Sequence, residues 1–70
     1  MTAAEFLQLV RSVCPEIQES HLSLPVGETP LDSLDLLTLR STLEARIGRH
    51  LSDEQWLQAD SLAALLRGLS

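Results

Sequence analysis

The chain has 70 residues and carries ten acids against five arginines and no lysine, a formal net charge of −5. That balance repels phosphate backbones and anionic headgroups, so neither nucleic acid nor a membrane surface is an expected partner. Hydrophobic residues make up 44% of the sequence, enough to fold, and residues 1–70 are expected to form one small domain near the lower size limit for a single core.

The charge is not evenly spread. Residues 1–35 hold six acids and one arginine, and residues 36–70 hold four of each. A partner with a basic docking patch suits such a chain. Cys14 is the sole cysteine, which rules out an intramolecular disulfide or a cysteine-based metal cluster. Next to Pro15, it reads as a small buried side chain. Glu5 and Arg11 interrupt the first residues and no small-residue cleavage pattern follows. No apolar run reaches the roughly 18 residues of a membrane span. A cytoplasmic, monomeric protein is expected.

Thr2 and Glu5 have the spacing of a capping box, so the first helix begins at Thr2. Ala3, Phe6, Val10 and Val13 then share a face, with Leu9 beside them. Pro15 ends the run. Residues 15–31 hold Pro15, Pro25, Gly27 and Pro30 and read as a long connection. Such a loop is unusual in a small domain and is often functional; a pinned crossover between helices is the plain alternative. Ile17, Leu22, Leu24 and Val26 are its expected anchors.

The second helix is predicted from about Ser33 to Ile47, with Asp32 as N-cap, Asp35 favourable in the first turn and Gly48 as the stop. Its apolar residues form two sets at 100° per residue. Leu36, Leu39, Leu43 and Ile47 face the core. Leu34 and Leu37 lie well round the helix, with Ser41 on the same line. Ser52 and Gln55 open a third helix over 53–58, with Trp56 and Leu57 expected to pack inward. A fourth helix spans about 61–68 with Asp60 as N-cap, buries Leu62, Leu65, Leu66 and Leu69, and frays at Gly68.

The chemistry concentrates at Leu31-Asp32-Ser33-Leu34-Asp35-Leu36-Leu37. A serine at a helix start, after a long loop, is exposed. The free N–H groups and positive partial charge of that end tolerate a phosphate. This makes Ser33 modifiable without saying by what. Asp32-Ser33-Leu34 resembles the Asp-Ser-Leu motif of acyl carrier proteins, in which the serine receives 4'-phosphopantetheine. The tripeptide alone is weak, since Asp60-Ser61-Leu62 is a second copy. Only the first follows a long loop and opens a long helix, and Ser61 reads as a helix-start residue.

The resemblance covers nearly the whole chain. It implies an all-α four-helix bundle with a long loop between helices 1 and 2 and a short helix 3. Leu34-Asp35-Leu36-Leu37-Thr38-Leu39 is similar to the family's second-helix opening. Leu43-Glu44-Ala45-Arg46-Ile47-Gly48 is similar to its close, and Leu51-Ser52-Asp53-Glu54 to the turn into helix 3. Pro30 stands where the family usually has glycine. Thr38, Ala45 and Arg46 replace glutamates common there, and this implies a specialised, stand-alone bacterial-type carrier. The Gly-Gly-x-Ser form common in peptidyl carriers is missing, which favours an acyl or aryl cargo.

What the resemblance implies is a non-catalytic carrier for fatty-acid, polyketide or related biosynthesis. Ser33 would bear 4'-phosphopantetheine, flanked by Asp32 and Leu34. Leu34, Asp35, Leu37, Ser41 and Glu44 would meet partners. Those partners would be a phosphopantetheinyl transferase, an acyl-loading ligase or acyltransferase, and a ketosynthase or other tailoring enzymes. The alternatives are a helical interaction module without a prosthetic group, or an aminoacyl or peptidyl carrier. His21 and His50 have no metal spacing. Arg46, Arg49 and His50 either meet a partner or balance the end of helix 2.

Overall fold

Capping chemistry sets where the helices begin. In the computed structural model, which describes residues 1–69, the chain is all-α. The helices are α1 (Ala3–Val13), α2 (Ser33–Ile47), α3 (Asp53–Gln58) and α4 (Leu62–Leu69). Two 3-10 turns, Glu19–Ser23 and Val26–Glu28, lie between α1 and α2. Thr2/Glu5, Asp32/Asp35 and Ser52/Gln55 each form a reciprocal capping box, so two N–H groups at each start are satisfied by side chains.

The stops are equally local. Cys14 takes an extended conformation before Pro15 and ends α1. Gly48 ends α2 at φ +74°, a left-handed conformation that a Cβ would strain.

The core consists of Phe6, Leu9 and Val10 from α1, Ile17 and Leu31 from the connection, Leu39 and Leu43 from α2, Leu51, and Leu62 and Leu65 from α4, with Cys14 among them. Leu36, Ile47, Leu66, Leu69, Val13 and Trp56 are partly buried against this cluster. Arg46 pairs with Glu5 at 3.1 Å, tying the end of α2 to the start of α1. The end of α2 thus lies beside the start of α1. Leu31 precedes the cap of α2 and Leu36 follows it at the spacing of a hydrophobic staple. Leu51 and Trp56 repeat that arrangement at α3.

The long connection is not slack. The radius of gyration is 10.8 Å, against about 11 Å for a compact chain of this length. Its first 3-10 turn lies on α4. The Val26 N–H donates to the Asp60 carbonyl at 3.2 Å, and Pro25 pairs with Ser61 in an isolated antiparallel bridge. The Thr29 hydroxyl donates to the Val26 carbonyl at 2.6 Å and closes the second turn.

Four expectations need correction. Leu24 is exposed, because Ile17 and Leu31 anchor the connection and Leu24 falls between the two 3-10 turns. Leu57 is 80% exposed, since six-residue α3 turns Trp56 inward and cannot also bury its neighbour. Ala3 lies outside the core at the exposed start of α1. Asp60 does not cap α4. Ser61 does, its Oγ accepting the Ala64 N–H at 3.1 Å, while the Asp60 carbonyl is held by Val26.

Leu43 is fully buried, so Leu43→Ala should cost about 2–5 kcal/mol. Leu57→Ala should stay within about 0.5 kcal/mol. Chemical denaturation of the two variants beside the parent checks both. Similar losses in the two would mean that α3 presents a different face.

Candidate functional site

The site begins with the cap of α2. Asp32 Oδ1 accepts the Asp35 N–H at 2.8 Å, and Asp35 Oδ2 accepts the Asp32 N–H at 3.3 Å. Ser33 is thereby the first helical residue. Its side chain is exposed and makes no hydrogen bond among the described residues. The N–H groups of Ser33 and Leu34 likewise lack a protein acceptor, as expected of a first turn. Two backbone donors are therefore free beside the exposed Ser33 hydroxyl.

The second Asp-Ser-Leu lies one step out of phase. Ser61 is the cap and half-buried, its hydroxyl is engaged, and its residue bridges to Pro25. The same tripeptide thus gives a free hydroxyl at Ser33 and a committed one at Ser61.

Around Ser33, α2 presents Leu34 and Leu37, 73% and 66% exposed. Ser41 is exposed further along, and Asp35 is half-buried beside the cap. Glu44 differs. It lies near the far end of α2, where its Oε2 accepts the Leu51 N–H at 2.7 Å and meets His50 Nδ1 at 2.7 Å. Its carboxylate holds the α2–α3 link together. Among the described residues the ion pairs made by arginine are Arg40–Asp53 and Arg46–Glu5. None involves Asp32 or Asp35, so the acids next to Ser33 are unneutralised.

An apolar cleft of about 190 Å³ opens beside this end of α2, lined by Val26, Leu36, Leu39, Trp56, Leu57 and Leu62 among others. Leu36 is one turn from Ser33. The volume is below the roughly 300–1,000 Å³ of small-molecule pockets, so it suits a short apolar segment rather than a whole ligand.

Other polar groups serve the fold. The Cys14 thiol is buried and donates to Glu16 Oε2 at 3.1 Å. Desolvation, then the Glu16 carboxylate, raises its pKa, which keeps it a thiol. That bond lowers the Glu16 pKa, and the Thr2 capping bonds lower that of Glu5. The His21 Nδ1 accepts the Gln18 N–H at 2.9 Å and shapes the first 3-10 turn. No cluster of metal-binding side chains occurs among the described residues, and no helix there is long and apolar enough to cross a membrane.

Sequence reasoning missed Arg40, whose guanidinium donates to the Leu51 carbonyl at 2.6 Å and pairs with Asp53 at 2.8 Å. These partners lie more than ten positions away, beyond any local pattern. It also missed Leu31 and Leu51 as core residues, although each sits just before a recognisable cap, where a staple calls for an apolar side chain.

No family model matches the chain, and no curated protein or solved structure matches it.

Ser61→Ala should destabilise the protein by about 1 kcal/mol, the usual cost of losing a cap hydroxyl. Ser33→Ala should change stability by less than about 0.5 kcal/mol. Urea midpoints for the two variants check the contrast; equal losses would mean that both hydroxyls are structural.

Proposed function

We propose that the protein is an acyl carrier that holds an acyl or aryl group as a thioester on a 4'-phosphopantetheine arm attached to Ser33. The observation that carries this reading is the free, exposed Ser33 hydroxyl at the first turn of a 15-residue helix. A tied connection delivers it there. The order of elements supports a four-helix bundle of acyl-carrier type: helix, long connection, long helix, short helix, last helix.

Each residue around Ser33 has a task in this reading. Asp32 and Asp35 fix the start of α2 and so the direction of the Ser33 side chain. The free N–H groups of Ser33 and Leu34 would donate to a phosphate oxygen. The arm, when attached, supplies the reactive thiol, so no nucleophile or acid–base pair is required of the chain, and it is not an enzyme. The apolar cleft one turn away supports an apolar cargo group over an aminoacyl one.

The modifying transferase, the loading ligase or acyltransferase and the ketosynthase or tailoring enzyme would each approach the Ser33 end of α2. Leu34 and Leu37 offer an apolar anchor there, and the unpaired Asp35 offers charge to a basic rim. Ser41 lies on the same outward line. Brief, small interfaces of this kind suit a monomeric cytoplasmic carrier that visits several enzymes.

A second reading has one observation in its favour. Leu34, Leu37 and Leu57 are all strongly exposed, as in an interaction module with no prosthetic group. It leaves the tied delivery of a free serine without a purpose.

Incubation with a broad-specificity phosphopantetheinyl transferase and coenzyme A should add one phosphopantetheine to the parent and to Ser61→Ala, and none to Ser33→Ala. Intact-mass spectrometry reads this directly. An unmodified parent, or an adduct that persists in Ser33→Ala, overturns the proposal.

Leu37→Ala should lower kcat/KM for the transfer by about fivefold to thirtyfold, equivalent to one or two kcal/mol, with its melting temperature nearly unchanged. Normal transfer together with a large loss of stability would assign Leu37 to the core.

A further inference from the structure

The outward face of α2 divides into two halves. Nearer Ser33 it carries Leu34 and Leu37, 73% and 66% exposed. Past Ser41 it carries Ala45 and then Gly48, the residue that ends the helix, and both are exposed. At 100° per residue these five positions fall within about 80° of one another.

The two halves are placed symmetrically about Ser41. Leu37 and Ala45 each lie four residues from it, and Leu34 and Gly48 each lie seven. Those are separations at which residues share a helix face. A second copy of α2, turned end for end about Ser41, therefore sets each leucine over a small residue of the other chain. Helix axes approach to about 8–10 Å only where the facing side chains leave room. Ala45 and Gly48 leave that room.

Charge selects the same arrangement. Each chain carries −5, which opposes association in general. Residues 1–35 hold all of that charge, while the acids and arginines of residues 36–70 balance. The Asp32 and Asp35 carboxylates are engaged by backbone N–H groups and meet no cation. Arg49, just beyond the far end of α2, is exposed and makes no ion pair among the described residues. Two α2 helices side by side in parallel would set Asp32 and Asp35 against their own copies. Turned end for end, they bring these acids to Arg49 of the second copy, because Ser33 and Arg49 each lie eight residues from Ser41.

We propose that the outward face of α2 is a self-docking surface, through which two copies of the chain pair antiparallel about a two-fold axis at Ser41. An interface of this symmetry uses one patch twice, so every favourable contact occurs two times. One face of a 15-residue helix, about 22 Å long, covers less than the roughly 1,200 Å² of a stable complex. The pair is accordingly weak and forms at high chain concentration, and the single chain is the form that partners meet in dilute solution. Within the pair the first turn of α2 is covered, and the Ser33 hydroxyl with it. The pairing itself does not depend on any modification at Ser33.

The test uses the full chain carrying Ser33→Ala, so that its failure and that of the carrier reading are told apart. In sedimentation equilibrium from about 10 μM to about 1 mM, a span that covers weak affinities, the mean mass should rise towards that of two chains. Arg49→Glu turns the attraction to Asp32 and Asp35 into repulsion and should weaken association by about tenfold or more. Ala45→Gln fills the space opposite Leu37 and should weaken it to a similar degree. Both positions are exposed, so circular dichroism should report an unchanged fold. Oxidation with diamide should trap Ser41→Cys as a disulfide-linked dimer. Ser20→Cys, exposed on the first 3-10 turn, should stay a single chain. The native Cys14 is 4% exposed and does not compete.

A mass that stays at one chain up to about 1 mM leaves this face to an enzyme or another protein and overturns the proposal. Association undiminished in either folded variant also overturns it, because the contact then lies elsewhere. Trapping of Ser20→Cys at the rate of Ser41→Cys overturns the two-fold axis at Ser41. Should one variant fail to fold, the other and the two cysteine variants decide by the same readouts.

Discussion

The bond from the Val26 N–H to the Asp60 carbonyl does more than close a loop. It joins the middle of the α1–α2 connection to the joint between α3 and α4, two places far apart in sequence. Ordering a long connection costs conformational entropy at every residue, and a few fixed points have to offset that cost. Ile17 and Leu31 are buried on either side of the tie, and Thr29 closes the turn between them. The chain then arrives at Asp32 in a defined direction. Without the tie, the start of α2 would be capped locally but not aimed.

The same bond determines which residue caps α4. The Asp60 carbonyl is committed to Val26, and Pro25 pairs with Ser61, so the backbone at 60–61 is held in an extended path. The helix can begin only after it, and the Ser61 hydroxyl is the nearest acceptor for the Ala64 N–H. A long-range contact thus overrides the local preference for aspartate as cap, which is why the sequence alone pointed to Asp60. The other starts were legible because their capping partners are three residues apart and answer to no distant group. Thr2/Glu5 and Ser52/Gln55 were readable as boxes, and Asp32 as a cap.

Burial was legible where the helix was long. Over the fifteen residues of α2, 100° per residue separates Leu39 and Leu43, which are buried, from Leu34 and Leu37, which are exposed. Over the six residues of α3 no such separation is possible, and Leu57 was placed inside when it lies outside. Arg40 was illegible for a different reason: its angular position on α2 borders the apolar stripe, but nothing near it in sequence signals a carbonyl eleven residues on. Functional candidates on α2 therefore could be sorted by face, whereas the ties from Arg40 to Leu51 and Asp53 arise only in the folded chain.

Charge follows the same division between what is tied and what is offered. The arginine ion pairs among the described residues each hold two elements together, Arg46 with Glu5 joining α2 to α1 and Arg40 with Asp53 joining α2 to α3, while the contact of Glu44 with His50 fixes the link between α2 and α3. All three lie away from the first turn of α2. Asp32 and Asp35 spend their carboxylates on backbone N–H groups instead, which satisfies hydrogen bonds but leaves two negative charges without a cation. Two unneutralised acids beside a helix start oppose part of the attraction that the free N–H groups hold for a phosphate. On the proposed reading, a group at Ser33 would be held there by its covalent bond and not by affinity. On that reading, an incoming enzyme that supplied cations to these acids would gain favourable charge pairing at the same place where it must reach the hydroxyl, and recognition and modification would fall on one end of one helix.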